Sequence, residues 1–254
     1  MVLLRDEAIV LRRFEYGETS RIAHLLTRER GRISVLAKGA HREKSPFLGA
    51  LDHLNRLGVV YSHRDDREMQ ILTEAEVQEG HRRLHRDLPR FAAALYAAEL
   101  VLEAAREGEP ATDLFDLFAE ALEALASGQG QPGTIALAFE LRFLAMIGLG
   151  PSFEGCRECG EPFPRVGMVA LAPGAGGAVC GRCAPAHRTV GRFPVGTLRA
   201  AARLGGLRPS EARRVRLDPR MREGLREAMD LYLGYHFERA PRSRRWLSLG
   251  TDGA

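Results

Sequence analysis

The first eighty residues contain five short segments of β type and no helical segment long enough to cross between parallel strands. Residues 32–38 give the clearest pattern. Ile33, Val35 and Ala37 fall on one side, and Arg32, Ser34 and Lys38 fall on the other, with Leu36 as the exception. This alternation predicts a strand with one buried face and one face that carries cations.

The predicted strands are Ala8–Phe14, two segments within Tyr16–Lys44 that join at Arg30-Gly31, Leu54–Ser62 and Met69–Val77. Met69–Val77 is predicted to alternate regularly from end to end. Five short strands without a crossover helix favour a closed antiparallel barrel. The five-stranded oligonucleotide-binding barrel (OB-fold) is the expected form, and an SH3-like barrel is the alternative.

The loop Lys38–Lys44 leaves the alternating strand and holds the only two lysines of a chain that otherwise uses arginine for its positive charge. A cationic loop beside a cationic strand face predicts a surface that follows the phosphates of a polyanion. A solvated surface loop is the alternative interpretation.

Positive charge is distributed unevenly along the chain, whose net charge is +4. Residues 1–50 carry 10 basic and 6 acidic side chains, residues 81–150 carry 6 and 10, and residues 151–254 carry 18 and 10. Separated basic regions suggest nucleic acid as a partner, although arginine-rich solvated surfaces are also common.

From Leu88 the periodicity becomes helical. A first helix is predicted to bury Phe91, Leu95, Ala98 and Leu102, and a second is predicted to bury Leu114, Leu117, Phe118, Ala121, Leu122 and Leu125. A third helix, Ile135–Ile147, is apolar nearly all round, which predicts a central position. Its two charges, Glu140 and Arg142, are expected at the rim of that helix.

Cysteines occur as two CxxC pairs, Cys156 with Cys159 and Cys180 with Cys183, separated by twenty residues. This spacing is typical of a tetrahedral zinc site with four thiolate ligands, in which each pair forms one knuckle turn. Gly160 and Gly181 are expected to permit those turns. Four thiolates complete the coordination shell, so the predicted zinc ion is structural and not hydrolytic.

Two alternatives to this zinc site remain open. A single CxxC can be a redox pair, although a thioredoxin-like pair would follow a strand and open a helix. His187 could replace one cysteine as a ligand. The segment Val166–Ala178 between the pairs is predicted to form a hairpin with a glycine-rich turn.

Two further helices are predicted near the carboxyl end, Phe193–Leu207 and Pro219–Phe237. Four arginines follow and precede Trp246: Arg239, Arg242, Arg244 and Arg245. They are either a second phosphate-contact area or a polar cap beneath which Trp246 packs on the helices.

These segments predict an α+β multidomain chain. Residues 1–80 form the OB-fold domain, 81–150 the first part of a helical domain, 151–192 an inserted zinc module and 193–254 the second part of the helical domain. The acidic pair Asp6-Glu7 interrupts the apolar start where a signal peptide would continue, and no window approaches membrane-spanning length, so we expect a cytoplasmic protein.

Three stretches resemble the bacterial recombination mediator family RecO: YGETSRIAHLLTRERGRISVLAKGAHREKS, FELRFLAMIGLGPSFEGCRECG and SRRWL. The resemblance covers nearly the whole chain. It implies an amino-terminal OB-fold, a helical domain and, in some members, a zinc module. It also implies binding of single- and double-stranded DNA, annealing of complementary strands and a nucleoid-associated location.

As partners, the resemblance implies RecR, with which the family loads RecA, and the acidic tail of the single-strand-binding protein. It places DNA on seven residues of the barrel face: Arg12, Arg13, Arg32, Lys38, His41, Arg42 and Lys44. No aromatic residue lies between Arg32 and Lys44, so base stacking is expected to be weak and phosphate charge to dominate.

Two other classes of function compete with this interpretation. An enzyme is disfavoured because the sequence holds no HExxH, no phosphate loop and no carboxylate cluster in a metal-ligand pattern. A zinc-ribbon protein that binds RNA or associates with transcription is the alternative, and an RNA reader would exploit the 2′-hydroxyl group.

Overall fold

The computed structural model of the chain describes residues 2–43, 45–237 and 241–248. Lys44 and Arg239 therefore lie outside the described residues. The chain divides into two compact units, Met1–Ala126 and Ser127–Ala254. The first unit groups two helices with the amino-terminal sheet, and the four-part division of the sequence stays a prediction.

The first unit contains a sheet of five strands. They are β1 (Val2–Tyr16), β2 (Ser20–Thr27), β3 (Gly31–Ala37), β4 (Arg56–His63) and β5 (Met69–Glu79). The strand order is β1-β2-β3-β5-β4, and the pairing of β4 with β1 closes the sheet on itself. All pairings are antiparallel except that of β3 with β5. The five predicted strands are confirmed.

Strand β1 is longer than predicted because it pairs with two partners. Residues 2–9 pair with β4, and residues 8–16 pair with β2. Val10 lies opposite Leu25 and Arg12 lies opposite His24, so Leu11 is one extra residue on β1. Such a β-bulge reverses the side to which later side chains point. Arg12 consequently points outward although Val10 belongs to the interior core.

The interior of the closed sheet is filled by apolar side chains from every strand, including Ala23, Val35 and Val59. The alternation predicted for β3 is confirmed, because its residues are buried and half-buried in turn. Residues 45–54, which join β3 to β4, also contribute Phe47 and Leu51 to this core. The segment after the cationic loop is thus anchored by burial of apolar surface.

The regular alternation predicted for β5 is wrong. Gln70 and Leu72 are buried, whereas Glu74 and Glu76 are exposed. The register with β4 shifts between Val60 and Tyr61, which leaves one extra residue on β5. The bulge reverses the faces in the second half of the strand, where Ala75 now packs on the core.

The described part of the first unit also contains the α-helices α1 (Leu88–Ala104) and α2 (Thr112–Ala126), after a short 3-10 helix at Leu84–Arg86. The Asp87 side chain caps α1 by accepting a hydrogen bond from the Arg90 amide. The predicted apolar face of α2 is confirmed. The face that α1 buries is rotated about the helix axis relative to the predicted face. Tyr96 and Leu100 are fully buried, whereas Phe91 is only half-buried.

Helix α2 is held to the sheet by charge and by an aromatic ring. Arg28 pairs with Glu7 of β1 and with Asp116 of α2, at 3.1 and 2.6 Å. The Arg28 guanidinium also lies 4.7 Å from the centre of the Phe115 ring. The start of β3 packs closely against the segment that joins α1 to α2. Gly31 lies against the backbone carbonyl groups of Arg106 and Glu109 in that segment.

The described residues of the second unit include four α-helices, a 3-10 helix at Arg242–Ser248 and a small sheet. The helices are α3 (Pro132–Met146), α4 (Val195–Gly206), α5 (Pro209–Ala212) and α6 (Pro219–His236). The strands are β6 (Met168–Ala172), β7 (Gly177–Val179) and β8 (Gly191–Pro194), in the order β7-β6-β8. The predicted hairpin corresponds to β6 and β7 and is confirmed. Helix α5 had no counterpart in the sequence analysis.

Glu140 of α3 does not lie at a rim, as predicted, but is fully buried. Its Oε2 atom accepts a hydrogen bond of 2.9 Å from Nη1 of Arg244, which is itself buried. Arg244 also pairs with Asp230 of α6. A charge can be buried in this way when a partner of opposite sign accompanies it.

The carboxyl-terminal arginines therefore differ in role. Arg244 lies in the interior, while Arg242 is exposed and the Arg245 guanidinium lies 4.8 Å from the centre of the Trp246 ring. Trp246 remains 45% exposed, so it does not pack fully beneath a polar cap. Nowhere in residues 2–43, 45–237 and 241–248 is a helix both long and apolar enough to span a bilayer.

We predict that Gly31→Ala destabilises the first unit more than Gly17→Ala. Both glycines have positive φ, +62° and +60°, so each substitution should cost roughly 1–2 kcal/mol for the left-handed conformation. A Cβ atom on Gly31 would also lie 2.3 Å from the Arg106 carbonyl oxygen, whereas nothing lies within 4 Å at Gly17. Overpacking should add about 1–3 kcal/mol. Denaturant unfolding followed by circular dichroism checks this, and equal losses would contradict it.

We predict that Arg244→Met lowers the free energy of unfolding by about 3–5 kcal/mol, because it removes the guanidinium group that pairs with the buried Glu140 carboxylate. Arg242→Met, at an exposed position two residues away, is the matched control and should have little effect. The double variant Glu140→Met with Arg244→Met should recover most of the loss. Thermal unfolding of the unchanged protein, the two single variants and the double variant provides the comparison. Similar losses of stability in Arg242→Met and Arg244→Met would contradict the importance of the buried pair.

Candidate nucleic-acid interface and metal centre

The outer face of β1, β2 and β3 is the surface of these strands that points away from the interior core. Paired residues point to the same side of a sheet, so the register places side chains in rows across it. The rows are Arg12–His24–Ser34, Phe14–Ile22–Leu36 and Tyr16–Ser20. A contact of 2.9 Å between His24 Nδ1 and Ser34 Oγ confirms the first row.

The loop after β3 sits at the edge of this face. The His41 amide donates a hydrogen bond of 3.1 Å to the Thr19 carbonyl oxygen in the turn between β1 and β2. The Arg42 amide donates to the Gly39 carbonyl oxygen, also at 3.1 Å, and Gly39 has a positive φ of 68°. Backbone hydrogen bonds thus hold the cationic loop beside the end of β1.

Three of the seven residues predicted to contact DNA, Arg12, Lys38 and Arg42, are exposed on or beside the outer face and have no ion-pair partner among the described residues. Lys38 follows Ala37, which pairs with Arg21, so it continues the alternation toward the Tyr16–Ser20 row. No ion pair joins Lys38 or Arg42 to another residue of the described ranges. Their charges are therefore available to a phosphate group.

Three other predicted residues have partners within the protein. Arg13 pairs with Asp52, and His41 pairs with Glu15. Arg32 is half-buried and donates a hydrogen bond of 3.0 Å to the Leu102 carbonyl oxygen of α1. Helix α1 thus contacts the outer face at the Arg32 end of β3 and leaves the Lys38 end open. Lys44 is the seventh predicted residue.

Two titratable groups near the loop have shifted pKa values. The hydrogen bond from Arg21 is the main reason that the pKa of Glu15 is lowered, and His41 acts in the same direction. Burial lowers the pKa of His24, and the charges of Arg32 and Arg12 lower it further. His24 is therefore neutral at pH 7, and the positive charge on this face belongs to arginine and lysine.

The four cysteines of the second unit lie together, and all four Sγ atoms lie within 4.8 Å of one another. The Sγ atoms of Cys159 and Cys180 are 3.8 Å apart. With zinc–sulfur bonds of about 2.3 Å, the edge of a tetrahedron is roughly 3.8 Å, so the cluster fits a zinc ion. The residues that would hold the ion are Cys156, Cys159, Cys180 and Cys183.

Backbone amides prepare the first knuckle for a thiolate. The Cys180 amide donates to the Cys156 Sγ atom at 3.2 Å. Burial raises the pKa of Cys156, but amides of Cys159, Cys180 and Glu158 outweigh burial and lower it to about 6. Gly160 has the positive φ of 74° that its turn requires. The tight approach predicted at Gly181 is wrong, because a Cβ atom there would meet nothing within 4 Å and the residue has no positive φ.

The geometry disfavours both alternatives to a four-thiolate site. Residues 156–159 and 180–183 lie in turns, and neither pair opens an α-helix as a thioredoxin-like pair would. His187 lies outside the sulfur cluster, and its Nε2 atom is 3.3 Å from the Glu158 carboxylate. The arrangement is that of a closed structural site.

Two residues of the outer face escaped the sequence analysis. Phe14 and Tyr16 are 37% and 52% exposed, and both lie in rows beside the cationic loop. Arg12, Phe14 and Tyr16 are spaced two residues apart in the sequence, a pattern that could have predicted one shared face of a strand. Strand pairing brings Phe14 and Tyr16 to the face from outside the segment Arg32–Lys44, which itself holds no aromatic residue.

We predict that the purified protein contains one zinc ion per chain, and that Cys159→Ser lowers this content. His187→Asn is the control and should retain the full amount, because the four sulfurs complete the coordination shell. Chelation should lower the thermal stability of the second unit, since metal binding contributes to the folding of small zinc modules. Metal analysis by mass spectrometry gives the ratio. Full zinc retention in Cys159→Ser, or zinc loss in His187→Asn, would contradict this ligand set.

Two family models match most of the chain. The family model described as "Recombination protein O N terminal" matches residues 1–81, and that described as "Recombination protein O C terminal" matches residues 85–245. The DNA repair protein RecO of Anaeromyxobacter sp. (strain K) is 38% identical over 241 residues, covering 94% of this chain and 93% of its own.

Two other relatives are similar over more than nine tenths of their length. The DNA repair protein RecO of Myxococcus xanthus (strain DK1622) is 35% identical, with 97% of this chain and 98% of its own covered. That of Moorella thermoacetica (strain ATCC 39073 / JCM 9320) is 31% identical, with 98% and 92% covered. The chain belongs to the RecO family of DNA repair proteins.

Proposed function

We propose that this protein is a recombination mediator that binds single- and double-stranded DNA through the outer face of an OB-fold. The closed strand order with its single parallel pair supports the OB-fold assignment. The observation that carries the proposal is the group of exposed cations, Arg12, Lys38 and Arg42, on or beside one sheet face. Polynucleotides carry a regular array of phosphate charges that such a group can neutralise.

The mechanism is charge neutralisation without turnover. Complementary strands repel one another through their phosphates, and this repulsion opposes annealing. A basic face that binds phosphates releases counterions and lets two strands approach until their bases pair. The backbone hydrogen bonds of His41 and Arg42 keep the loop in place, so little order has to be gained on binding.

The resemblance to the family supports a wider role in repair. We infer that the protein acts with RecR to load RecA on DNA covered by the single-strand-binding protein, whose acidic tail it binds. A zinc ion held by Cys156, Cys159, Cys180 and Cys183 would keep the module of residues 151–192 in shape and would take no part in chemistry. In this proposal the protein has no catalytic activity of its own. It is located in the cytoplasm, where it binds the DNA of the nucleoid.

A zinc-ribbon protein that prefers RNA is the second candidate, and the four-cysteine cluster is the observation that favours it. Competition between DNA and RNA of one sequence separates the two candidates. Only a protein that recognises RNA gains affinity from contacts with the 2′-hydroxyl group. A cleavage assay with magnesium tests the proposal that the protein has no nuclease activity.

We predict a steep dependence of DNA affinity on salt. The slope of the logarithm of the association constant against the logarithm of salt concentration should be about −0.7 per phosphate contacted on a single strand and about −0.9 on a duplex. Lys38→Glu and Arg42→Glu should each remove about one phosphate contact. The slope of each variant should therefore be less steep by about 0.7 on a single strand and about 0.9 on a duplex. Fluorescence anisotropy at several salt concentrations measures it.

Arg106→Glu is the matched control for this experiment, because it makes the same change of charge elsewhere on the first unit. The Arg106 carbonyl oxygen accepts a hydrogen bond from the Arg32 amide near the start of β3, roughly 20 Å from Lys38 at the strand rise of 3.3 Å per residue. Its slope should match that of the unchanged protein. Unchanged slopes in the Lys38 and Arg42 variants would remove the outer face from the proposal.

A further inference from the structure

An exposed aromatic pair lies on the outer face, at the end of β1 beside the cationic loop. Phe14 and Tyr16 are two residues apart on β1, after the bulge at Leu11, so both point away from the interior core. They are 37% and 52% exposed. At the strand rise of about 3.4 Å per residue, the two rings project from points roughly 7 Å apart.

The Phe14 ring is held in place by its neighbours. The Arg12 guanidinium lies 4.6 Å from the ring centre, and the His24 ring meets it edge to face at 5.4 Å. Across the sheet, Phe14 shares its row with Ile22 and Leu36, which are half-buried. A ring fixed in this way can accept a stacked partner at little further entropic cost.

The surroundings of the aromatic pair match the two chemical parts of a nucleotide. Phe14, Tyr16, Ile22 and Leu36 offer apolar surface, and Arg12, Lys38 and Arg42 place positive charge at its margin. Nucleobases have flat apolar faces, and their phosphates are anionic. Aromatic rings interspersed with cations are the combination by which single-stranded nucleic acid is bound without sequence readout.

We propose that Phe14 and Tyr16 stack on the bases of single-stranded DNA, and that this contact makes the outer face prefer a single strand to a duplex. A duplex keeps its bases stacked on one another, so it can use only the phosphate contacts of the same surface. This inference rests on the proposed function, since it names the strand form that the DNA-binding face selects. It also replaces the expectation that stacking on this face is weak.

The preference has a consequence for annealing. A strand whose bases lie against Phe14 and Tyr16 is kept free of internal pairs, while its phosphates are neutralised by Lys38 and Arg42. When a complementary strand pairs with it, the bases leave the aromatic rings and the duplex keeps only the phosphate contacts. Product is therefore held less tightly than substrate, which favours release of the annealed duplex.

The test uses three ligands of equal length at one salt concentration: a single-stranded oligonucleotide, the same backbone with abasic sites throughout, and a duplex. Phe14→Ala and Tyr16→Ala should each weaken binding of the single strand by about 5- to 140-fold, the range that corresponds to base–aromatic stacking. Affinity for the abasic strand and the duplex should change less than twofold. The full-length protein is used throughout.

Three controls accompany the measurement. Phe14→Trp and Tyr16→Phe keep an aromatic ring and should retain affinity for the single strand. Leu88→Ala removes an exposed apolar side chain from α1, where it is 61% exposed, and should leave all three affinities unchanged. Lys38→Glu should weaken binding of all three ligands, since each of them carries phosphates.

The outcomes separate this inference from the proposed function. If the unchanged protein binds none of the three ligands, DNA binding itself is refuted. If it binds them but the alanine variants leave affinity for the single strand unchanged, or lower all three affinities equally, stacking is refuted while DNA binding stands. Circular dichroism of each variant reports folding, and the variants that keep a ring allow the test to be read even where an alanine variant unfolds.

A second readout detects stacking directly. In a Trp246→Phe background, Phe14→Trp places the only tryptophan of the chain on the outer face. Stacking of a base on that indole should quench its fluorescence when the single strand is added. The abasic strand should bind through its phosphates and leave the emission nearly unchanged. Equal quenching by both strands would contradict direct contact with the bases.

Discussion

The double pairing of β1 is the constraint on which the amino-terminal unit depends. One strand pairs with β4 over residues 2–9 and with β2 over residues 8–16, and this shared strand closes the sheet. The bulge at Leu11 lies where the two pairings meet. It lets β1 contribute Val10 to the core and then direct Arg12, Phe14 and Tyr16 outward. The double pairing of β1 thus both closes the sheet and determines which side chains lie on its outer face.

Much of this architecture follows from local patterns in the sequence. Alternation in residues 31–37 reflects a strand with one face in the core, and the apolar positions of α2 have the spacing of a helix that packs on one side. The two CxxC pairs identify their cluster because ligand spacing is a property of the knuckle turn itself. In each case the residues that define the feature are close in sequence.

Features that depend on distant residues were not predictable in this way. Glu140 is buried because Arg244, more than a hundred residues later, neutralises it, and no local pattern shows that pairing. Arg32 alternates like an exposed cation, yet it bonds to α1. The bulge in β5 reverses the faces of a strand whose sequence alternates. The bulge at Leu11 lies at the end of an apolar run, residues 8–11, that gives no sign of which face each residue takes. Phe14 and Tyr16 reach the cationic loop only through the register of β1 with β2.

Photo-crosslinking of a single-stranded oligonucleotide to the protein, followed by mass spectrometry of the peptides, tests the central claim most directly. The claim is that DNA lies on the outer face of β1, β2 and β3. Crosslinks should concentrate in the peptides that contain Phe14 and Tyr16 and in the loop that begins at Lys38, and they should fade as salt is raised. Crosslinks confined to residues 127–254, with none in the first unit, would contradict the account.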